Sequence, residues 1–205
     1  MSRTLHCIKR KAEWTFQWMN DTRLVNGVKK RVKQGSRILA FSIVEGVFFS
    51  GAFCSIFWLK NRGILMGLAQ ANEFISRDES LHTEFAVYLY RHVLLDKHKP
   101  AEEEAECIVR EAVDIEIEFI TEALPCRLIG IGSDSMSQYV RFVADRLMLQ
   151  LGYREIDQVA NPFSWMEKIN VSAKVDFFKG KNTEYSLKTV SKSLNITEAV
   201  FDSDD

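Results

Sequence analysis

The stretch from Ile38 to Leu59 reads ILAFSIVEGVFFSGAFCSIFWL and carries one charged side chain, Glu45, in 22 residues. That length is sufficient to cross a membrane. A carboxylate near the membrane centre would cost about 3 kcal/mol, however, and the chain has no second stretch of this kind. A helix that is apolar around its whole circumference is otherwise the buried helix of a bundle. We therefore predict a central core helix and no membrane span.

The segments on either side of this stretch predict an all-α fold. Apolar residues recur at three- and four-residue spacing in residues 5–20, 63–95, 101–124 and 134–151. Residues 21–36 are polar and contain Gly27 and Gly35, which predicts a connector. The helical pattern ends after Pro162. We predict a helical domain over residues 1–180 and a mobile tail over residues 181–205.

Composition narrows the class of protein. Of the 205 residues, 46% are hydrophobic and only 13 are Gly or Pro, which excludes a disordered chain and argues against a turn-rich β-sandwich. The net charge is −1, so no nucleic-acid partner is expected, and we interpret the basic cluster from Lys29 to Arg37 as a solvated connector. Four dispersed cysteines and a start without an apolar signal segment predict a reducing, cytoplasmic location.

Two features carry candidate chemistry. Glu45 is a carboxylate in an apolar helix, where burial costs several kcal/mol unless the group is paired, protonated or metal-bound. Glu79 and His82 are three residues apart, so both project from one helix face. A lone Glu and a Glu-x-x-His from facing helices form half of a carboxylate-bridged di-metal site. A salt-bridged Glu45 and an ordinary structural His82 are the alternatives, and the residues alone leave this choice open.

Longer motifs carry a resemblance to a known family. They are Val44–Gly51, Ile56–Lys60, Ile75–His82, Glu118–Pro125, Tyr139–Leu147 and Asn161–Phe163 with the Trp165-Met166-Glu167 that follows. In this order they resemble the small, radical-generating subunit of class I ribonucleotide reductase of eukaryotic type. The resemblance runs from about Cys7 to the C-terminus and covers only the C-terminal half of that family. It implies a partial ferritin-like helical bundle.

The resemblance also implies a metal centre. Glu45 resembles a terminal iron ligand, Glu79 resembles a carboxylate that bridges two irons, and His82 resembles the histidine on the same iron as Glu45. Iron is the metal implied, and manganese is the alternative. In the family such a di-iron site activates O2 and generates a tyrosyl radical, which serves ribonucleoside-diphosphate reductase in deoxyribonucleotide synthesis for DNA replication.

Further roles follow from the same resemblance. Asp78 resembles an acid that hydrogen-bonds an iron-bound histidine on the radical-transfer route, and Tyr185 resembles the tail tyrosine that relays the radical to the large subunit. Phe49 and Phe53 resemble the apolar wall of the radical pocket, with plain core packing as the alternative. The implied partners are the large catalytic subunit, bound through the C-terminal tail, and another small-subunit chain in a dimer.

The chain departs from the family pattern at both ends. The family uses six ligands and a radical tyrosine, yet the sequence before Glu45 contains no tyrosine, no Glu-x-x-His and one histidine, His6. We therefore expect the chain alone to be inactive. In the C-terminal heptapeptide, Ala199 and Asp205 stand where the family has aromatic anchors, which predicts weaker docking on the large subunit.

Three hypotheses remain open at the level of sequence to explain why the chain carries only half of the family's metal ligands. The chain is the C-terminal half of an ordinary subunit whose other half is missing. It is a short, non-catalytic partner or regulator of a full-length small subunit. Or two copies pair symmetrically, so that two Glu45 and two Glu79-x-x-His82 sets meet and bind metal without the family's tyrosine.

Overall fold

Helices dominate the part of the chain that the computed structural model describes, residues 3–20, 22–123 and 131–166. The long helices are α1 (Arg3–Met19), α2 (Gln34–Gly46), α3 (Ser50–Asn61), α4 (Met66–Tyr88), α5 (Glu102–Glu118) and α6 (Ser133–Leu151). Wider π-helical turns extend α4 over Leu89–Val93 and α5 over Phe119–Ala123, and a short 3-10 turn covers Asp96–His98. This architecture confirms the predicted all-α class.

The core is built around α2. Leu39, Ala40 and Ile43 of that helix are fully buried. They belong to one apolar cluster with side chains of α1, α5 and α6, among them Trp14, Trp18, Ile108, Val109, Ala112, Val140, Ala144 and Leu147. The buried positions of α5 and α6 follow the stripes that the three- and four-residue spacing predicts, because that spacing places them on one side of each helix.

The apolar stretch from Ile38 to Leu59 forms two helices, so the prediction of one continuous helix is wrong. The backbone amides of Val47 and Phe48 both donate to the carbonyl of Ile43, at 2.8 and 3.1 Å, and Ser50 donates to Val47. The Val47 bond is still a regular helical one, whereas the bonds of Phe48 and Ser50 span five and three residues and so separate α2 from α3. The carbonyl of Phe48, at the break, accepts a 2.8 Å hydrogen bond from the Lys11 ammonium. Glu45 therefore lies in the last turn of α2.

The same stretch has the length and apolar composition of a membrane span. Among the described residues, Gln34–Asn61 is the one segment that meets both criteria, and more than half of its most apolar window is buried inside the bundle. Together with the break at Val47–Phe49, this burial agrees with the predicted core role.

A β-hairpin occupies most of the predicted connector. Strands β1 (Thr22–Val25) and β2 (Val28–Arg31) pair antiparallel, with Thr22 opposite Arg31 and Val25 opposite Val28. Asn26 and Gly27 form the turn with φ of 50° and 77°, the left-handed conformations that a two-residue hairpin turn needs. The whole of β2 is exposed, so its basic side chains are solvated as expected.

Asp145 fixes the segment that follows α6. Its buried carboxylate accepts hydrogen bonds from the backbone amides of Ile156, Asp157 and Val159, at 2.8, 3.0 and 3.2 Å. The packed unit that contains these contacts ends at Phe163. The predicted tail over residues 181–205, including Tyr185 and the heptapeptide Ala199–Asp205, lies outside the described residues.

Candidate metal centre

Three of the predicted ligands come together where α2 crosses α4. The Nδ1 atom of His82 lies 3.0 Å from Oε2 of Glu79 and 3.6 Å from Oε2 of Glu45. One ligand atom from each of the three residues lies within 4.8 Å of the other two. The side chains of Glu45 and Glu79 are 15% and 22% exposed, whereas that of His82 is 56% exposed. The cluster is therefore closed on the side of the bundle and open on the side of His82.

Small residues and local hydrogen bonds set this crossing. A Cβ atom on Gly46 would lie 3.1 Å from Cγ2 of Thr83, so glycine beside Glu45 permits the close approach of α2 to α4. The hydroxyl of Thr83 donates to the carbonyl of Glu79 at 2.8 Å. The buried side chain of Asn72 donates to the carbonyl of Phe53, which joins α4 to α3. These contacts hold the backbone that carries the candidate ligands.

The three groups shift one another's protonation. Burial raises the pKa of Glu45 to about 7, and a hydrogen bond with Glu79 and the negative charge of Glu79 add to the rise. The hydrogen bond from Glu45 lowers the pKa of Glu79, and His82 lowers it further against the effect of burial. The hydrogen bond to Glu79 and the two carboxylate charges raise the pKa of His82. At neutral pH, shared protons therefore stabilise the contacts among Glu45, Glu79 and His82. The deprotonated forms of the same side chains are metal ligands.

The donor set fits a divalent transition metal. Two carboxylates and one imidazole suit Fe²⁺ or Mn²⁺, which accept oxygen and nitrogen ligands together. A cation would replace the shared protons and remove the repulsion between the Glu45 and Glu79 carboxylates. Three protein ligands leave further coordination positions, and the exposed side of His82 is the direction from which a second set of ligands has access.

The exposed side of α4 continues from His82 as an apolar surface. Ile75, Asp78, His82 and Phe85 follow one another at three- or four-residue intervals along it. We call the exposed apolar residues of this helix the α4 face, which consists of Met66, Leu68, Phe74, Ile75, Leu81, Phe85 and Tyr88. A surface this apolar on a protein is typical of an interface.

The remaining predicted residues lie at the edges of this site. The rings of Phe49 and Phe53 contact each other, with centroids 6.1 Å apart, and Phe49 is exposed. Asp78 precedes Glu79 on α4 and is exposed outside the three-residue cluster. Tyr185 lies outside the described residues.

Another buried carboxylate, Glu116, which was not predicted, lies against Gly51 at the start of α3. The Glu116 side chain is fully buried and contacts the Lys11 ammonium, the same ammonium that binds the Phe48 carbonyl. Burial raises the pKa of Glu116 to about 7 and lowers the pKa of Lys11. A signal was present in the sequence, because Glu116 follows Ala112 by four residues and therefore stands on the apolar stripe of α5.

Comparison with known proteins agrees with this architecture. Residues 1–162 match the family model described as ribonucleotide reductase, small chain. Human ribonucleoside-diphosphate reductase subunit M2 is 46% identical over 201 residues, which are 98% of this chain and 49% of the relative. A ribonucleoside-diphosphate reductase small subunit from Dictyostelium discoideum is 49% identical over 89% of this chain and 51% of its own length. The chain thus spans about half the length of the curated relatives it matches.

Comparison of the fold with solved structures identifies the same family as comparison of the sequence. The ribonucleotide reductase Rnr4 homodimer from Saccharomyces cerevisiae superimposes with a TM-score of 0.68 and 36% identity, over 81% of this chain and 50% of that one. A solved structure from Bacillus halodurans, at 18% identity and a TM-score of 0.66, shares the fold. The ferritin-like bundle expected from the sequence is confirmed, and the chain belongs to the ribonucleotide reductase small-chain family.

Proposed function

We propose that this chain supplies the C-terminal ligand half of a di-iron, radical-generating centre of ribonucleoside-diphosphate reductase. The observation that carries the proposal is the cluster of Glu45, Glu79 and His82 at the crossing of α2 and α4. It occurs in a chain of the small-chain family, whose members are di-iron proteins, and this chain spans about half of its relatives' length. A half-length chain with half of the ligands requires a complement that provides the rest.

Each residue has a distinct task in this proposal. Glu45 and His82 would hold one iron, and Glu79 would supply the carboxylate shared with a second iron. A complete centre of this family supplies the oxidising chemistry that generates a tyrosyl radical. Burial of Glu45 and Glu79 keeps bulk water away from the inner side of the cluster, and Phe49 and Phe53 form the apolar wall of the radical pocket.

The α4 face is where the complement binds. The face borders the open side of His82, so the polypeptide that covers it also reaches the open coordination positions. We propose that this polypeptide is the missing N-terminal half of a small chain. It would carry the other three ligands and the radical tyrosine, neither of which this sequence offers before Glu45.

Transfer of the radical uses residues beyond the cluster. Asp78, exposed beside Glu79, and Tyr185 lie on the proposed route to the large catalytic subunit, which binds the C-terminal tail. A second small-subunit chain completes a dimer, and the assembly acts in the cytoplasm. Tyr185→Phe is expected to leave iron content and the radical unchanged and to abolish nucleotide reduction, because phenylalanine cannot carry the radical.

The test is reconstitution from two halves. The chain is mixed with a polypeptide that corresponds to the half of human subunit M2 preceding the matched region, and Fe²⁺ and O2 are added. We expect two irons per complex and a tyrosyl radical signal in electron paramagnetic resonance. Glu79→Gln and His82→Ala should lose both, whereas Glu84→Gln, an exposed carboxylate on the same helix, should retain both.

Two different results would each assign the chain another role. A complex that forms without iron uptake or radical, and that persists in Glu45→Ala, would overturn the proposal in favour of a non-catalytic partner. Two metal ions per homodimer of the isolated chain, lost in His82→Ala, would overturn it in favour of the symmetric pair.

A further inference from the structure

A second cluster of metal-ligating side chains lies where the start of α1 meets the end of α5. Cys7 is buried on α1, with Sγ 4.0 Å from Oε1 of Glu118. One ligand atom each from Cys7, Glu118 and Glu122 lies within 4.8 Å of the other two. The Nε2 atom of His6 lies 4.0 Å from the same Oε1 of Glu118. A sulfur and two carboxylates thus lie close together, and the exposed imidazole of His6 flanks one of the carboxylates.

The two oxygens of the Glu118 carboxylate contact different neighbours. Oε1 faces Cys7 and His6, whereas Oε2 contacts the guanidinium of Arg10. Arg10 therefore fixes the orientation of the carboxylate without blocking Oε1. A charged partner on the outer oxygen of a ligating carboxylate is the arrangement by which proteins orient metal ligands.

We propose that Cys7, Glu118 and Glu122 bind a zinc-type metal ion, separate from the Glu45 cluster, and that the exposed imidazole of His6 rotates in as the fourth ligand. Zinc binds thiolate, imidazole and carboxylate ligands in a tetrahedron with bonds of about 2.0–2.3 Å, so its donor atoms lie about 3.3–3.8 Å apart. The distances among Cys7, Glu118 and Glu122 exceed that spacing by at most about 1 Å, which side-chain rotation can close. His6, 4.0 Å from Oε1 of Glu118, has to rotate further to reach the same ion.

The thiolate distinguishes this site from the Glu45 cluster. Sulfur is a soft ligand that favours Zn²⁺, whereas the Glu45 cluster offers only oxygen and nitrogen. The proposed ion would join α1 to the turn after α5, and α1 also carries Lys11, which binds the Phe48 carbonyl beside the Glu45 cluster. The site is therefore structural, because it holds the helix that supports the break between α2 and α3.

Cobalt provides a direct test on the full 205-residue chain. Co²⁺ replaces Zn²⁺ in such sites, and a thiolate ligand adds a near-ultraviolet charge-transfer band that oxygen and nitrogen ligands lack. We expect this band on titration of the reduced chain with Co²⁺, and its loss on addition of Zn²⁺. Cys7→Ser should abolish the band, and Glu122→Gln, an exposed change that leaves the core intact, should weaken Co²⁺ binding at least tenfold.

Matched variants separate this site from the Glu45 cluster and from an unspecific thiol. His82→Ala and Cys107→Ser, which removes an exposed cysteine elsewhere, should both retain the band. A band that persists in Cys7→Ser, or its absence from the wild-type chain when circular dichroism shows intact helices, would overturn the proposal. Neither result would bear on iron uptake in the reconstituted complex.

Discussion

Nδ1 of His82 on α4 lies 3.6 Å from Oε2 of Glu45 on α2, and Glu79 lies beside both. Because the pKa of Glu45 is raised to about 7 and the pKa of His82 is also raised, both groups hold protons near neutrality that a metal must displace. We therefore predict that Mn²⁺ affinity of the reconstituted complex rises as pH increases from about 6 to 8. Competition titrations against a fluorescent chelator would measure this. Glu84→Gln should show the same pH dependence, and a flat profile would contradict the assignment.

The Glu116 carboxyl makes a separate contribution to pH dependence. Burial raises its pKa from 4.5 to about 7. Between pH 4.5 and about pH 7, the folded chain therefore holds a proton on this carboxyl that the unfolded chain has lost. The free energy of unfolding therefore falls as pH rises, with the contribution complete below about 4.5 and lost above about 7. The difference amounts to about 3 kcal/mol. Urea unfolding from pH 5 to 8 should show this fall.

The control for that measurement is Glu116→Gln, which keeps the shape of the side chain and removes its titration. The difference in unfolding free energy between wild type and this variant should shift in favour of the variant as pH rises. The comparison cancels contributions from every titrating group that does not contact Glu116; Lys11, which does, is the exception. A difference that stays constant between pH 5 and 8 would show that Glu116 has an ordinary pKa.

The structure was predicted best from the sequence in helices where the spacing of apolar residues alone determines which side chains are buried. The stripes of α5 and α6 were correct because a soluble helix must place its apolar residues on one side. Glu45 was identifiable as a candidate ligand because one carboxylate in 22 largely apolar residues requires an explanation. The Glu79 and His82 pair followed from helix geometry alone, although only the longer motifs of the family turned that pair into a specific hypothesis.

The parts that sequence reasoning missed depend on contacts between distant segments or on turn geometry. The break after Gly46 comes from the shifted amides of Phe48 and Ser50 and from Lys11, which binds the Phe48 carbonyl from 37 residues away. No periodicity carries that information. The hairpin had a local signal in Asn26-Gly27, but its second strand lacks the alternation of apolar and polar residues that normally accompanies the turn.

Asp145 should be among the most sensitive positions for stability. Its carboxylate accepts three backbone hydrogen bonds in a buried setting, so Asp145→Ala leaves three amides without their acceptor. We expect a loss of about 3–6 kcal/mol in the free energy of unfolding, at about 1–2 kcal/mol for each unmet bond. Chemical denaturation followed by circular dichroism measures it. Asp114→Ala, an exposed aspartate on α5, should change stability by less than about 0.5 kcal/mol.

The α4 face should determine how the isolated chain behaves. Phe85 is 59% exposed there, together with Phe74, Leu81 and Tyr88. Such a surface is expected to make the chain self-associate without its complement, and light scattering after gel filtration should detect this. Phe85→Gln should reduce self-association. It should also weaken binding of the N-terminal half by roughly 10- to 100-fold, because burying a phenylalanine contributes about 1.5–3 kcal/mol.

The control for the α4 face is Phe16→Gln, which removes an aromatic ring that is 67% exposed on α1. Because Phe16 lies on a different helix from the Glu45 cluster, its removal should leave both self-association and complement binding unchanged. Equal effects of the two substitutions would indicate non-specific hydrophobic association and not a defined interface. A monodisperse monomer at high concentration would contradict the prediction that the α4 face needs a cover.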